Sequence, residues 1–480
     1  MSYQITDNQF ILPADALRAL HKSFGEHFQT EAAVCQAHGQ NMTWLPSQVP
    51  HGVVFCRGRD DVREAIRICS QFYVPIIPFG AGTSLEGQVN APHGGISLDL
   101  SKMDELVKLA ADDMYAVVQP GMTHEKLNEL VRTSGLFFPV DPGANATLGG
   151  MASTRASGTN AVRYGTMREN TQALEVVLAS GEVIHTGTRA RKSASGYDLT
   201  RLFVGAEGTL GIITELTLRL YPIPEEMAGG RCAFDTIAQA ADAVIAALNN
   251  RVDLARIELL DGLCVRACNR YSQLELKETP TLFVEFHGDT QHIKREAEKF
   301  RKIVSGRGCS FDWAINQEER SKLWEARHNA WWAIHKMFPG KKGVTTDICV
   351  PISQLANCIA QAQSEVNRLS LDAPIVGHVG DGNFHVLIML NLDDSAEIAK
   401  AEELISSLNR MAIDTGGTCT GEHGIGQGKI DYAAIEHGVS IDAMRAIKRA
   451  LDPKNLLNPG KIFRTTERTK HIYGEHIFID

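Results

Sequence analysis

Apolar positions along the chain change between a helical period and short strand-like runs, and this alternation predicts the secondary structure. Apolar residues recur three or four positions apart, as in amphipathic helices, over residues 1–45, 60–70 and 123–134. Short apolar runs bounded by turn-forming residues predict strands at residues 51–54, 74–78, 95–100, 116–121, 173–179, 183–185 and 211–220. The first half of the chain is therefore predicted to mix strands and helices.

One long stretch of the first half, residues 137–170, shows little periodicity and contains five glycines. It is not predicted to pack as an ordinary helix or strand. Aromatic and aliphatic residues are interleaved with the small ones, which argues against disorder. Because long structureless loops inside compact domains commonly wrap a ligand, this stretch is predicted to bind one.

The pattern changes near residues 221–224, which predicts a domain boundary. The second half alternates strands and helices in an order typical of an α+β domain with an antiparallel sheet and helices on one face. Its predicted strands lie at residues 256–260, 281–287, 310–314 and 344–350, and in a hairpin at 374–390. Its predicted helices lie at residues 236–248, 291–304, 317–333, 352–369, 396–414 and 441–450. The expected division is a helical segment over 1–45, a first domain over 46–223, a second domain over 224–465 and a tail over 466–480.

Composition excludes several classes of function. The formal net charge of −9 is spread along the chain without a basic block, so no nucleic-acid partner is expected. No apolar run reaches the roughly 18 residues of a membrane-spanning helix. The first residues lack the features of a signal peptide or an Arg-rich presequence, so a cytoplasmic location is expected; peripheral association with a membrane and a homodimer are left open. Ten cysteines without a CxxC pair argue against zinc-finger and iron–sulfur sites.

Two histidines lie close together in a predicted β-hairpin, in the stretch GHVGDGNFH. Asp381 and Gly382 are typical of a two-residue type I′ turn, and apolar runs flank them on both sides. That turn would place His378 directly opposite His385 on one face, with their Cβ atoms about 5 Å apart. Such a pair suits a shared metal ion or a proton relay. The alternative is a half-buried hairpin whose histidines bond to the backbone.

A glycine-rich loop, FGAGTSLEG, follows the apolar strand predicted at residues 74–78. It lacks the GK[ST] of a P-loop and the GxGxxG of a Rossmann site. Its glycines allow close approach of the backbone, and Thr83 and Ser84 add hydroxyl donors, so the loop could hold a pyrophosphate without a lysine. A simple tight turn is the alternative.

Taken together and in order, the motifs resemble the FAD-dependent D-2-hydroxyacid dehydrogenases. Within the vanillyl-alcohol-oxidase-like flavoproteins, they are most similar to the branch of cytochrome-type D-lactate dehydrogenases and glycolate oxidase flavin subunits. The resemblance covers roughly residues 40–465. It rests on the motifs PFGAGTSLEG, DPGANATLGG, RYGTMREN, GYDLTRLFVGAEGTLGIIT, GHVGDGNFH, GTCTGEHGIG and LDPKNLLNPGK.

The resemblance implies an α+β fold with a two-subdomain FAD-binding domain over residues 46–223. An α+β cap domain with an antiparallel sheet would follow over residues 224–465, and its C-terminal tail would return to the flavin. Because the pyrophosphate loop contains no histidine, non-covalent FAD is expected. The residues implied to contact FAD are Pro78, Gly80, Ala81, Gly82, Thr83, Ser84, Leu85, Pro142, Gly143, Thr147, Gly149, Gly150, Ser153, Ser157, Gly158, Tyr164, Gly165, Glu207, Gly208, Gly211, Ile212, Ile213 and Asn458.

The motif GEHG places Glu422 and His423 side by side. Neighbouring residues of an extended segment point in opposite directions, so Glu422 can face the hairpin histidines while His423 faces the flavin. His378, His385 and Glu422 form a set that suits Zn²⁺, Mn²⁺ or Fe²⁺, and the resemblance implies that these residues are metal ligands, with zinc or manganese expected. A hydrogen-bonded cluster without metal is the alternative.

The remaining catalytic assignments combine chemistry with the resemblance. A 2-hydroxy acid that gives a hydride to flavin N5 must also lose its hydroxyl proton, and His423 has the pKa range of a suitable base. The resemblance implies that Arg327 binds the substrate carboxylate bidentately, and Asn383 could hydrogen-bond the substrate. Thr345 stands where relatives that act on dicarboxylates have a lysine, which favours a short monocarboxylate.

The resemblance therefore implies oxidation of D-lactate to pyruvate, with electrons passed to a quinone or cytochrome. A glycolate oxidase flavin subunit, which needs partner chains, and a D-2-hydroxyglutarate dehydrogenase are the near alternatives. A non-redox alkyl transferase that uses the flavin as a scaffold is an alternative of another class. A metal hydrolase without flavin would leave the glycine-rich segments unexplained.

Overall fold

The computed structural model describes residues 11–190, 192–313 and 317–464. Eight helices and eleven strands form the described first half. The helices are α1 (Ala14–Phe24), α2 (Ala32–His38), α3 (Arg59–Phe72), α4 (His124–Val131), α5 (Leu148–Thr154), α6 (Ala161–Tyr164), α7 (Met167–Asn170) and α8 (Leu199–Phe203). The strands are β1 (Phe28–Gln29), β2 (Gly52–Phe55), β3 (Ile76–Phe79), β4 (Ile96–Asp99), β5 (Leu106–Ala110), β6 (Tyr115–Val118), β7 (Leu136–Phe137), β8 (Thr171–Val177), β9 (Val183–Gly187), β10 (Ile212–Arg219) and β11 (Tyr221–Pro222).

Two sheets organise this half of the chain. The first has the order β1-β2-β4-β3, in which β2, β4 and β3 are parallel and β1 is antiparallel to β2. The second has the order β5-β6-β10-β8-β9 and is antiparallel. Helix α3 packs on the first sheet because Val62, Ile66 and Cys69 form an apolar stripe on one side of the helix. The strands predicted here are confirmed to within a few residues, whereas β1 and β5 were not predicted.

Both ends of the described chain pack on the first sheet. Helix α1 buries Leu20 and Phe24 in the core of that sheet, and β1 lies between the two predicted N-terminal helices. From the other end, Leu457 enters the same core and forms a bridge with Ile76. The helices expected near the N-terminus are confirmed, whereas the domain boundaries stay a prediction.

The stretch 137–170 is more regular than predicted, since it contains α5, α6 and α7. These helices have only seven, four and four residues, so they are too short to show a helical period in the sequence. Gly149 allows α5 to approach Pro120, because a Cβ at Gly149 would lie 2.5 Å from Pro120 Cβ. The side chain of Thr166 caps α7, and Glu169 completes the capping box.

The second half of the described chain contributes nine helices and eight strands. The helices are α9 (Ile237–Asn249), α10 (Gly262–Ser272), α11 (Thr290–Ser305), α12 (Gln317–His328), α13 (Ala330–Met337), α14 (Leu355–Leu369), α15 (Ser395–Asp414), α16 (Ile430–His437) and α17 (Ser440–Leu451). The strands are β12 (Glu226–Ala233), β13 (Arg256–Leu260), β14 (Thr281–Gly288), β15 (Asp312–Trp313), β16 (Lys342–Thr345), β17 (Ile348–Cys349), β18 (Ile375–Gly377) and β19 (Asn383–Leu390).

These strands form one large antiparallel sheet with helices on both faces. Its order is β15-β12-β14-β13-β18-β19-β16, and β17 also pairs with β19. Leu259 packs on one face with α9, α11, α14 and α15, while its neighbour Leu260 packs on the other face with α10 and α13. The prediction of helices on one face was therefore wrong. All eight residues of β19 are buried, and such a two-sided apolar strand needs cover on both faces.

Two predicted elements are divided, and one of the breaks shapes the functional site. The helix expected over 317–333 ends at His328, and α13 begins after Asn329. The strand expected over 344–350 is split into β16 and β17, which leaves Asp347 between them. Among the described residues, no helix combines the length and the apolar character needed to cross a bilayer.

Candidate active site

A cavity of about 640 Å³ lies between the glycine-rich segments of the first half and the large sheet of the second. Most residues predicted to bind FAD, metal or substrate line it. They are Pro78, Gly80, Ala81, Gly82, Thr83, Ser84, Leu85, Pro142, Gly143, Thr147, Gly149, Gly150, Ser153, Ser157, Glu207, Gly208, Gly211, Ile212, Ile213, Arg327, His378, His385, Glu422, His423 and Asn458. The tertiary structure thus brings together segments that are far apart in the sequence.

On the side of the cavity formed by the first half of the chain, glycines allow the chain segments to pack closely together. A Cβ added at Gly80 would lie 2.2 Å from Thr147 Oγ1, and one at Gly208 would lie 2.3 Å from Pro78 Cγ. Ser84 Oγ is buried and has no hydrogen-bond partner among the described residues. A glycine-formed cradle with an unpaired hydroxyl fits a polar ligand such as a pyrophosphate.

Gly158, Tyr164 and Gly165, which were predicted to contact FAD, do not line the cavity. A Cβ at Gly158 would lie 2.5 Å from Asp141 O, so this glycine allows close packing of two chain segments. The hydroxyl of Tyr164 lies 2.9 Å from His287 Nδ1 on β14. Gly165 has a positive φ of 76° where α6 ends. Their positions in the structure indicate packing roles.

The predicted register of the histidine hairpin is wrong by two residues. Val376, and not His378, pairs with His385, so the loop between β18 and β19 spans residues 378–382. Only Gly382 of the expected turn pair has a positive φ, whereas a type I′ turn needs it at both positions. A shift of two residues leaves each side chain on its original face. His378 lies in the loop directly after β18 and still meets His385, with ring centroids 5.4 Å apart.

Three potential ligand atoms converge at this hairpin. Glu422 Oε1 lies 3.3 Å from His378 Nε2 and 3.3 Å from His385 Nε2. The other ring nitrogens face acceptors, because His378 Nδ1 lies 2.8 Å from Glu258 Oε1 and His385 Nδ1 lies 2.9 Å from Thr346 O. With Nδ1 donating to these acceptors, each Nε2 can present its lone pair to a metal ion, as in histidines that bind metals. Ligands with bonds of about 2.1 Å in a tetrahedral site lie about 3.4 Å apart, so the set fits a divalent metal ion.

A second grouping, Asp347 with His385, Glu422 and His423, also has its ligand atoms within 4.8 Å of one another. Asp347 Oδ2 already accepts hydrogen bonds from Thr420 Oγ1, Glu422 N and His423 N, at 2.7, 2.9 and 2.7 Å. A carboxylate saturated in this way organises the loop and has little capacity left for a metal. The residues that could hold a metal ion are therefore His378, His385 and Glu422.

Burial and charge act together on the groups of this cluster. Burial by itself lowers the pKa of His378, but Glu258 and Glu422 together raise that pKa well above its usual value. Burial raises the pKa of Glu422, yet His378 and His385 bring it well below its usual range. Without an ion, the carboxylate of Glu422 and the imidazole of His378 thus stabilise each other as charged partners.

His423 lies beside the candidate metal ligands, and its Nδ1 has no hydrogen-bond partner in the described part of the chain. Its ring stacks on His385, with a centroid distance of 5.2 Å and an angle of 9°. Nδ1 is buried, 4.0 Å from Glu86 Oε1 and 3.9 Å from Asp347 Oδ2. Burial lowers the pKa of His423 to about 4. A neutral imidazole at the cavity wall can accept a proton.

The structure changes the interpretation of Asn383 and adds Glu258. Asn383 does not line the cavity, since its Nδ2 donates to Asp347 Oδ1 and to Ile348 O, at 3.0 and 2.9 Å. Arg327 lines the cavity but donates from Nε and Nη2 to Glu258 Oε2, at 2.9 and 2.5 Å. Glu258 therefore links Arg327 to the candidate metal ligand His378. The sequence signal that could have identified Glu258 was a single carboxylate in the predicted strand RIELL.

We expect the Glu258→Gln variant to lower the affinity for Zn²⁺ by about 10- to 100-fold, the usual effect of losing an outer partner of a ligating histidine. The FAD content is expected to stay unchanged. Competition with a chromogenic chelator measures the affinity. The matched control is Glu285→Gln, which alters a buried carboxylate on the neighbouring strand that bonds to His287, away from the cavity. An unchanged Zn²⁺ affinity in Glu258→Gln would contradict the assigned role.

Comparisons with known proteins agree with this two-part site. Residues 50–187 match the family described as FAD binding domain, and residues 223–462 match the family described as FAD linked oxidases, C-terminal domain. A probable mitochondrial D-lactate dehydrogenase of Danio rerio is 47% identical, with 91% of this chain and 89% of the relative covered. A mitochondrial D-lactate dehydrogenase [cytochrome] of Arabidopsis thaliana is 41% identical, with 94% and 80% covered. The glycolate oxidase subunit GlcD of Bacillus subtilis is 33% identical, with 93% and 96% covered.

Solved structures support the fold. A p-cresol methylhydroxylase superposes with a TM-score of 0.75 at 17% identity, covering 93% of this chain and 96% of the other. An alkyldihydroxyacetonephosphate synthase superposes with a TM-score of 0.74 at 18% identity, covering 95% and 88%. These matches confirm the predicted class, a vanillyl-alcohol-oxidase-type FAD-binding domain with an α+β domain.

Proposed function

This chain belongs to the family of FAD-linked oxidases, and from that premise we propose that it oxidises D-lactate to pyruvate with the help of FAD and a divalent metal ion. One observation carries the proposal. His378, His385, Glu422 and His423 line the same cavity as the glycine-rich loops of the FAD-binding domain. A redox cofactor, a metal ion and a base would thus face one substrate-sized space.

The residues of the first half fit FAD in its non-covalent form. The 78–85 loop would hold the pyrophosphate with backbone N–H groups and the hydroxyl of Ser84, which bonds to none of the described residues. Segments 142–157 and 207–213 would lie along the rest of the dinucleotide. When bound, FAD supplies the acceptor for the hydride that leaves substrate C2.

The histidine hairpin and Glu422 would hold the metal ion. Glu258 and Thr346 O orient the two imidazoles so that both Nε2 lone pairs meet near Glu422 Oε1. When bound, a divalent ion polarises the substrate hydroxyl and lowers its pKa. His423, directly after Glu422, would accept the hydroxyl proton, and its stacking on His385 restrains the plane of its ring.

Arg327 would bind the substrate carboxylate. Glu258 occupies the Nε–Nη2 edge of the guanidinium, which leaves the edge formed by Nη1 and the second N–H of Nη2 for a bidentate contact. Among the described residues that line the cavity, Arg327 is the one lysine or arginine. Thr345, also in the lining, offers a neutral hydroxyl. A single cation matches a monocarboxylate better than a dicarboxylate such as 2-hydroxyglutarate.

We expect anaerobic D-lactate to bleach the flavin absorbance of the purified holoenzyme, and L-lactate to leave it unchanged. The reason is that one enantiomer alone can present its C2 hydrogen to FAD while Arg327 holds the carboxylate and His423 meets the hydroxyl. Removal of the metal with a chelator should slow bleaching, and Zn²⁺ or Mn²⁺ should restore it. If no 2-hydroxy acid bleaches the flavin, the proposed oxidation is refuted. Alkyl transfer then becomes the hypothesis to test.

Glycolate oxidation is the second candidate, and the GlcD relative favours it. Glycolate also carries one carboxylate, so the charge of the cavity does not separate it from D-lactate. A comparison of kcat/KM for both acids with a dye acceptor separates the two substrates.

The word cytochrome in the name of the plant relative supports a cytochrome as the electron acceptor, and a quinone is the alternative. Two relatives are named mitochondrial, so the expected cytoplasmic location is not confirmed. A homodimer and peripheral membrane association stay predictions.

A further inference from the structure

Glu207 lies where several walls of the cavity meet. Its backbone N–H donates to Ser153 O at 2.8 Å, and its carbonyl oxygen accepts from Asn458 Nδ2 at 2.8 Å. It has a φ of 51°, a conformation that costs free energy in a residue with a side chain. Such a conformation persists when its surroundings hold it, and here two other chain segments do so.

The carboxylate of Glu207 bonds to the loop that carries Glu422 and His423. Ile425 N donates to Oε1 at 2.7 Å, and Gly426 N donates to Oε2 at 2.9 Å. The residue is only 4% exposed, so these backbone donors replace the water that a carboxylate would otherwise bind. Both oxygens are therefore committed to this loop, although the resemblance assigned Glu207 to FAD.

Gln88, also in the first domain, bonds to the same loop at a second point. Gln88 Nε2 donates to His423 O at 2.7 Å. Asp347, from the second domain, accepts hydrogen bonds from Glu422 N and His423 N. The loop belongs by sequence to the second domain, yet Gln88 and Glu207 of the first domain bond to it on both sides of Gly424.

The glycines of GEHGIG permit this close approach. A Cβ at Gly424 would lie 2.6 Å from Glu207 Oε1, and a Cβ at Gly426 would lie 2.1 Å from Glu86 O. Both glycines also have positive φ, 79° and 49°. Side chains at these positions would push the loop away from the first domain.

We propose that Glu207 and Gln88 are positioning residues, which fix the loop carrying Glu422 and His423 against the flavin-binding domain. The proposal rests on the proposed function, because it takes Glu422 as a metal ligand and His423 as the base. Two domains of one chain can move relative to each other unless contacts hold them. A displacement of about 1 Å between reacting groups can cost about 100-fold in rate. These contacts would keep the part of the site that holds the metal and the base aligned with the part that holds the flavin.

The test uses the FAD-loaded full chain with Glu207→Gln. The side-chain amide keeps the shape but presents N–H groups to a backbone donor, so one of the two bonds is lost. Hydrogen–deuterium exchange of residues 421–428 should become faster, and the affinity for Zn²⁺ should fall about tenfold, as for other outer partners of metal ligands. The FAD content should stay at the wild-type value, because the carboxylate serves the loop.

A second variant and a control complete the test. Gln88→Leu removes the bond to His423 O without changing the charge, so it should also accelerate exchange of the loop; it decides the matter if Glu207→Gln does not fold. Glu175→Gln changes a buried carboxylate of the same domain that bonds to Arg59 and Thr214, and loop exchange should match wild type.

Three results would be decisive. Loss of FAD with unchanged loop exchange would show that Glu207 is a cofactor ligand and would overturn the proposal. Unchanged exchange and unchanged Zn²⁺ affinity in both variants would also overturn it. Wild-type protein that binds no Zn²⁺ or is not reduced by D-lactate would refute the proposed function. The exchange rates would still decide whether Glu207 and Gln88 hold the loop in place.

Discussion

The Glu422→Gln variant is expected to lose metal binding and most turnover while it keeps its FAD. An amide oxygen is a weaker ligand than a carboxylate, and the variant also removes the negative charge that faces His378 and His385. We expect the affinity for Zn²⁺ to fall by more than about 100-fold, the upper end of the effect of losing an outer partner. Elemental analysis after dialysis measures the metal, and the flavin spectrum measures the FAD.

The two hairpin histidines supply the matched comparison. His378→Ala and His385→Ala should lose metal to a similar extent, and each double variant with Glu422→Gln should lose little more, because ligands of one ion act as a unit. Metal content that stays at wild-type level in Glu422→Gln would show that the ligand set is wrong. Asp347, which we excluded as a ligand, would then be the first residue to reconsider.

The His423→Ala variant is expected to keep both FAD and metal and to lower kcat by about 10²- to 10⁴-fold, the usual contribution of a general base. The side chain touches no metal ligand through a hydrogen bond, and its place in the loop depends on backbone contacts to Asp347 and Gln88. Steady-state turnover of D-lactate with a dye acceptor measures kcat.

His335→Asn is the control for this experiment. His335 Nδ1 bonds to Trp331 O within its own helix, and the residue does not line the cavity. Near-normal turnover in His423→Ala would remove this residue from the mechanism. Loss of metal in the same variant would instead show that His423 belongs to the ligand set.

The sequence predicted the two facing histidines for a reason that survives an error in the turn. Side chains alternate along a strand, so a register shift of two residues does not turn His385 to the other face, and His378, just beyond β18, still reaches it. The turn itself was wrong because its type depends on the backbone dihedral of Asp381, which the surrounding fold decides. Motif order was similarly robust, since the glycine-rich loops and GEHG line one cavity as the resemblance implied.

The partners of the site residues could not be read from the sequence. Glu258, Asp347 and Gln88 lie in other elements and reach the site through tertiary packing. Asn383 looked like a substrate contact because of its place in the hairpin, but the split between β16 and β17 brings Asp347 and Ile348 O beside it. Glu207 looked like a flavin contact, whereas its carboxylate bonds to the loop beyond His423.

The sequence alone determined the chemical groups of this protein and most of its longer strands and helices, because residue type and local period depend on near neighbours. The tertiary structure decided that both faces of the large sheet are covered, which nitrogen of His378 and of His385 faces Glu422, and which carboxylates hold the loop that carries Glu422 and His423. Those outcomes depend on contacts between residues far apart in the sequence, such as His378 with Glu258 and Gly426 with Glu207. Local patterns carry no information about such contacts.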